Sequence, residues 1–283
     1  MKFTAILCFC TLSFYFQADV DKAIVEDCFA RLAREKDTSP ANMLPAIALS
    51  FRESPYQANT LEVNEKESLI INLQAFDCMT FVETCLAMHL AFQSDQPDVD
   101  AYGDYLRKIR YRNGVIDGYT SRLHYVTDWI RNNESAGFIR NISEDIGGEI
   151  LPLQLNYMSS HASSYKQLMK HPEDIPVMQA IEASVNAGTY YYIPINELQR
   201  CAGKIQSGDM LFFVTSLPGL DVSHAGIAYR NGKSLTFIHA STSAKKVVVH
   251  PGSLLEYCRN SKRNKGVIVC RMSGVNQCKG GNE

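Results

Sequence analysis

The chain lacks most of the features that would fix its class at a glance. It has almost no net charge: 28 Lys and Arg face 30 Asp and Glu, leaving −2 over 283 residues. That balance argues against nucleic acid or an anionic membrane surface as the main partner, since both are held by a basic excess. The one local basic cluster, Arg259, Lys262, Arg263 and Lys265, reads as a solvated loop. Past residue 16 no apolar run is long enough to span a bilayer. No two cysteines form a CxxC pair, which argues against a structural zinc knuckle. Also missing are a nucleotide loop, a dehydrogenase fingerprint and a paired-carboxylate glycosidase signature. Neither internal repeats nor low-complexity linkers divide the chain.

Hydrophobic residues at 46% and charged residues at 20% permit one sizeable core. Met1 to Ala18 has the layout of a secretory signal peptide, with Lys2 as a minimal charged start and Phe3 to Phe16 as the apolar stretch. The expectation is a secreted or periplasmic protein, with no stable membrane insertion once the leader is removed and a single domain over residues 19–283. Nine cysteines minus Cys8 and Cys10 of the leader leave seven, so at least one is unpaired. If that one is Cys78, the other six allow up to three disulfides in an oxidising compartment.

Periodicity divides the chain into two textures. Amphipathic patterns predict helices over 20–35, 41–51, 78–92, 100–110, 126–132, 162–169 and 177–186. Extended segments are expected around 61–63 and 69–73, and through 138–155 with a turn at Gly147-Gly148. The last third reads as strands at 190–193, 210–214, 224–229, 235–239, 246–249 and 267–271. Helices first and strands last imply an α+β fold.

Within this frame Phe76-Asp77-Cys78-Met79-Thr80 places a cysteine where an extended run becomes helical. Unpaired N–H groups and the helix dipole at such a point favour thiolate over thiol. A thiolate nucleophile needs a base, and two of the seven histidines stand out. His224 opens one strand and His239 closes the next, with Asn231-Gly232 between them. If those two residues form a type I′ turn, Arg230 pairs with Lys233 and, further out, His224 lies directly opposite His239, with Cβ atoms about 5 Å apart. One imidazole could then take the thiol proton while the other fixes its tautomer. His89 is expected in a surface or satisfied core role, and His161, His171 and His250 at the surface.

The ordered set Pro55-Tyr56, Asp77-Cys78, Gly208-Asp209, His224-Ala225-Gly226-Ile227 and His239 resembles the NlpC/p60 superfamily of papain-like cell-wall cysteine hydrolases. Asp77-Cys78-Met79-Thr80-Phe81-Val82-Glu83, with Arg122-Leu123-His124-Tyr125 and Asp128-Trp129, looks like its N-acetylmuramoyl-L-alanine amidase-like branch. The resemblance implies a cysteine helix packed on a C-terminal antiparallel sheet, with peptidoglycan fragments (muropeptides) as substrate and no cofactor or metal. It implies Cys78 as nucleophile, His224 as base, His239 as its orienting partner and Tyr56 near the oxyanion. Arg122, His124, Asp128, Trp129 and Ser223 are the expected substrate contacts; the first three could instead form a polar network holding the loop on Trp129. Asp77 is expected to cap its helix and Asp209 to stabilise a turn. The rival activity is a γ-D-glutamyl-diaminopimelate endopeptidase. The same residues would also suit a zinc site made of Cys78, His224 and His239, or could stand in an inactive wall-binding module.

Overall fold

The computed structural model describes residues 19–35, 39–232 and 234–273. The proposed leader, Cys278 and Lys233 lie outside them. The chain opens with helices α1 (19–32), α2 (Pro40–Ser50), α3 (Cys78–Phe92), α4 (Val99–Arg110) and α5 (Val126–Ser135). Short strands β1 (Ile139–Asn141) and β2 (Glu149–Ile150) precede helices α6 (Tyr157–Ser160), α7 (Lys166–Lys170) and α8 (Asp174–Asn186). Then come β3 (Tyr191–Pro194), α9 (Ile195–Cys201), β4 (Met210–Thr215), β5 (Val222–Asn231), β6 (Ser234–Ser241), β7 (Lys246–Val249), α10 (Leu254–Asn260) and β8 (Asn264–Met272). No helix among the described residues is long and apolar enough to cross a membrane.

The strands form one eight-stranded sheet in the order β2-β3-β8-β4-β5-β6-β7, with β1 pairing on β8. The pairings are antiparallel. β4 is buried along its whole length, the signature of a strand covered on both faces. On one face the larger core joins α1 to α5 through Met43, Phe76, Phe81 and Trp129 to Met210, Phe212, Ala225, Ile227 and Ile238. On the other, α9 and α10 bring Leu198, Cys201, Leu254 and Cys258 against Leu211, Phe213, Phe237, Val267 and Val269. The mixed α+β character expected from the sequence is present. The last third, however, supplies two helices of its own, α9 and α10, which cover the second face.

α3 is the central helix. From Thr80 to Ala91 nearly every residue is buried, so a sequence apolar on all sides ends up inside. Its few buried polar groups are handled unequally. Glu83 pairs with Arg110 Nε at 2.8 Å, and Thr84 meets the Tyr102 hydroxyl at 3.4 Å. His89 is 1% exposed and neither ring nitrogen bonds any described atom, in contrast to the satisfied or surface role expected for it.

The segments expected to be extended at 61–63 and 69–73 form no strand. They belong to a long loop between Tyr56 and α3, pinned by side chains. Arg110 donates to the Ile70 carbonyl at 2.7 Å, and the Tyr111 hydroxyl to Glu67 and the Ser68 carbonyl at 2.7 and 2.9 Å. Arg122 reaches Glu62 at 2.6 Å and Glu67 at 3.4 Å. The six described cysteines are all free, and all but Cys78 are buried, so the possible disulfides do not form among the described residues.

Candidate active site

Cys78 is the first residue of α3, and Asp77 caps the helix. The Asp77 carboxylate accepts from the Met79 and Thr80 N–H groups at 3.0 and 2.8 Å, while Thr80 Oγ1 accepts from the Asp77 N–H at 3.0 Å. This closed capping box fixes where the helix starts and so where the thiol sits. The half-buried thiol also meets the backbone N–H groups of Ala225, Cys78 itself and Met79. Ala225 directly follows His224, so strand β5 passes beside the thiol. The expectation of a low thiol pKa needs correction. Burial and the neighbouring Asp77 charge push Cys78 up to about 12, against the pull of those three N–H groups. The cap that positions the helix also places a carboxylate beside the sulfur.

Tyr56 comes close in space despite the long loop. Pro55 and Tyr56 run beside Phe76: the Phe76 N–H donates to the Pro55 carbonyl at 3.0 Å and the Gln57 N–H to the Phe76 carbonyl at 2.9 Å. The half-buried phenol has its pKa raised by burial, then by Cys78 and Asp77. It therefore stands within the electrostatic reach of the thiol.

The two histidines meet, by a different register from the one expected. Asn231 pairs with Ser234 and Arg230 with Leu235, so the turn sits one residue later, with Gly232 at φ +61°. A slide of two in the pairing keeps every side chain on its face, because faces alternate with period two. His239 then falls opposite Gly226, with His224 as its diagonal neighbour. A Cβ on Gly226 would lie 2.8 Å from the Ile238 carbonyl oxygen and 3.2 Å from His239 Cβ, so glycine supplies the space. Across it His224 Nε2 and His239 Nδ1 stand 2.6 Å apart.

Both imidazoles are held neutral. Burial lowers His224 to about 4 and His239 to about 3, with His250 adding to each effect. The resting site at neutral pH is thus a thiol beside an uncharged histidine pair. His224 rests against Phe213, Phe237 and Tyr257 of the smaller core, whereas Cys78 packs on the larger one. Among the described residues no group of three or more His, Cys, Asp or Glu is arranged to hold a metal ion.

Most of the expected substrate contacts lie inside the molecule. Arg122 is 5% exposed between Glu62 and Glu67. His124 Nε2 lies 2.9 Å from the Tyr119 carbonyl oxygen, and burial holds its pKa to about 3. Asp128 is 1% exposed and clamped by Arg112 and Arg131 at 2.8 and 2.9 Å. Trp129 is fully buried against Phe212. Arg122, His124 and Asp128 build a polar network that holds the 118–129 segment and the long loop, with Trp129 packed beneath it. Of the five, only Ser223, next to His224, is exposed. Asp209 behaves as a turn residue, held by both branches of Arg271 at 2.7 and 2.8 Å and by the Gln206 N–H at 2.8 Å.

Two neighbours carry no mark in the sequence pattern of the site. His250 and Tyr257 pack on the histidine pair, His250 5.9 Å from His239 and Tyr257 6.0 Å from His224, measured between ring centroids. A signal for Tyr257 exists in the Ser253-to-Glu256 capping box that starts α10. His250 follows the last residue of β7 and has no such marker.

Comparison with known proteins agrees with this architecture. Residues 46–267 match the AmiA-like family, described as N-acetylmuramoyl-L-alanine amidase-like. A crystal structure of an N-acetylmuramoyl-L-alanine amidase from Bacteroides uniformis is similar at 38% identity and a TM-score of 0.79, covering 83% of this chain and 99% of that one. A Bacteroides fragilis protein, provisionally described as a xylanase, shares 40% identity at a TM-score of 0.75, covering 80% of this chain and 99% of that one. A Legionella pneumophila protein at 20% identity shares the fold, with a TM-score of 0.69 over 92% of this chain and 97% of its own. No curated protein matches the sequence. The family match spans most of the chain, and by it this protein belongs to the AmiA-like family of amidase-like cell-wall hydrolases.

Proposed function

We propose that the protein is an exported cysteine amidase of the NlpC/p60 type, which hydrolyses the N-acetylmuramoyl-L-alanine bond of peptidoglycan fragments. One observation carries the cysteine mechanism: the capped Cys78 thiol lies by the Ala225 N–H, whose chain neighbour His224 is itself 2.6 Å from His239. The family match supports the substrate class. A glycosidase reading, suggested by the name of one relative, finds no support in the site. Its nearest carboxylate, Asp77, is committed to the helix cap.

In the reaction His224 takes the thiol proton as sulfur attacks the lactyl carbonyl of the muramic acid. The carbonyl oxygen becomes an oxyanion, with the Cys78 N–H and the Tyr56 phenol as its nearest donors; one such donor is worth about 3 kcal/mol in the transition state. Collapse breaks the C–N bond, and His224 returns the proton to the departing L-alanine amine. The resulting thioester is attacked by water, which gives its proton to His224. The C–S bond then breaks, the sugar carboxylic acid leaves, and the sulfur regains its proton from His224. Throughout, His239 holds the imidazole without becoming charged, since its own burial opposes protonation.

Mass spectrometry of muropeptides digested with the parent and with Cys78→Ala tests this. Free disaccharide with an intact stem peptide, produced by the parent alone, is the expected result. A shortened stem still joined to sugar would mean an endopeptidase instead, and equal turnover by Cys78→Ala would remove the cysteine mechanism.

A further inference from the structure

For His224 to accept a proton at Nδ1, its single proton must sit on Nε2, facing His239 Nδ1. His239 must then carry its own proton on Nε2. In the opposite arrangement His239 donates from Nδ1, the proton of His224 moves to Nδ1, and the base is lost. Which of the two prevails depends on what surrounds His239 Nε2. That nitrogen is sealed from solvent and no described atom hydrogen-bonds it. A buried N–H with no acceptor is costlier than a bare ring nitrogen, which favours the unreactive arrangement.

Besides His224, three rings pack on His239: Phe237 at 4.6 Å, His250 at 5.9 Å and Tyr257 at 6.1 Å between centroids. Phe237 offers no lone pair, and His250 is the nearer of the other two. Its ring stands at 66° to that of His239, is stacked on Phe237 and abuts Tyr257. Its backbone is pinned on both sides: the N–H donates to the Phe237 carbonyl at 2.8 Å, and the carbonyl accepts from Thr236 Oγ1 at 2.8 Å. On the solvent side, Glu256 Oε2 and His250 Nε2 both approach the point where Gly252 lacks a Cβ, at 3.1 and 3.5 Å. A carboxylate there favours a proton on His250 Nε2 and leaves Nδ1 bare as an acceptor.

We propose that His250 is a positioning residue of the active site: its imidazole accepts the His239 Nε2 proton, and so keeps His224 Nδ1 free for the thiol. In this arrangement the His250 ring turns toward His239 Nε2. A row Glu256–His250–His239–His224 then leads inward from solvent. This rests on the cysteine mechanism proposed above, but its structural half can be read without substrate.

Two measurements test it on the full mature chain. Long-range ¹H–¹⁵N spectra of histidine-labelled protein report the tautomer of His239 directly. The parent is expected to show a proton on Nε2, His250→Phe a mixture or the reverse, and His250→Gln, which keeps an acceptor, the parent pattern. In muropeptide hydrolysis, His250→Phe should lose 10- to 100-fold in kcat with KM unchanged, and His250→Gln should recover most of it. An unchanged His239 tautomer in a folded His250→Phe, or a kcat within twofold of the parent, overturns the assignment. If the parent's activity proves independent of Cys78, the mechanism fails while the spectra still decide the role of His250.

Discussion

His89 provides the sharpest quantitative test of the structure, because a single physical cause acts on it. It lies on α3, 1% exposed, with both ring nitrogens unpartnered, and burial alone lowers its pKa from 6.5 to about 4. The sign follows directly. Between pH 6.5 and 4 the unfolded chain binds a proton at this residue that the folded chain refuses, so stability falls as pH falls through that window. Below pH 4 the loss saturates at about 3 kcal/mol, from 2.5 units at 1.36 kcal/mol each. At pH 5.0 the same relation leaves a loss of about 2 kcal/mol relative to pH 7.5. His124, His224 and His239 act in the same direction, so the parent alone cannot isolate His89. The difference between parent and His89→Leu does. Urea unfolding at pH 7.5 and 5.0 should show the variant losing about 2 kcal/mol less than the parent on acidification, or roughly 4–8 °C in Tm. At pH 7.5 the variant should match or exceed the parent, because a buried polar group without partners is replaced by an apolar one of similar size. Identical acid slopes in the two proteins would refute the reasoning.

Two further outcomes follow from the buried charges. With Cys78 pushed up to about 12 and His224 held near 4, there is no preformed thiolate–imidazolium pair, so alkylation of Cys78 by iodoacetamide should climb close to tenfold per pH unit between 7 and 9. A rate already level over pH 6–9 would show a thiolate at rest and reverse that assignment. Arg110→Met should cost about 3–5 kcal/mol in urea unfolding, since it strands the Glu83 carboxylate in the core and releases the Ile70 carbonyl; adding Glu83→Leu should restore much of the loss. A single-variant cost below about 1 kcal/mol would mean that the pair is not buried as described.

The parts of this protein that were legible in its sequence are those decided by near neighbours. Helix α3 begins at Cys78 because Asp77 and Thr80 close a capping box across four residues. The strands β4 to β8 announce themselves by apolar runs between turn residues. The histidine contact was legible for a subtler reason. The turn falls one residue later than Asn231-Gly232 suggests, yet the resulting shift of two preserves the face on which His224 and His239 stand. What escaped depends on residues distant in the chain. The Arg122 loop has the composition of a ligand-binding surface, and only its partners Glu62 and Glu67, some sixty residues upstream, make it an internal clamp. The thiol pKa likewise could not be read from the helix start, because tertiary burial and the cap's own charge outweigh the dipole. Nothing local to His250 signals that β6 and α10 fold it against the histidine pair.

The placement of thiol and imidazoles on different cores bears on the life of the chain before it is complete. Cys78 belongs to the layer built by the first helices, while His224 and His239 lean on Phe213, Phe237 and Tyr257, which come late in the sequence. During synthesis the Cys78 thiol therefore emerges long before the two imidazoles, and neither layer alone brings them together. On the mechanism proposed above, only a chain with both layers closed on the sheet is armed.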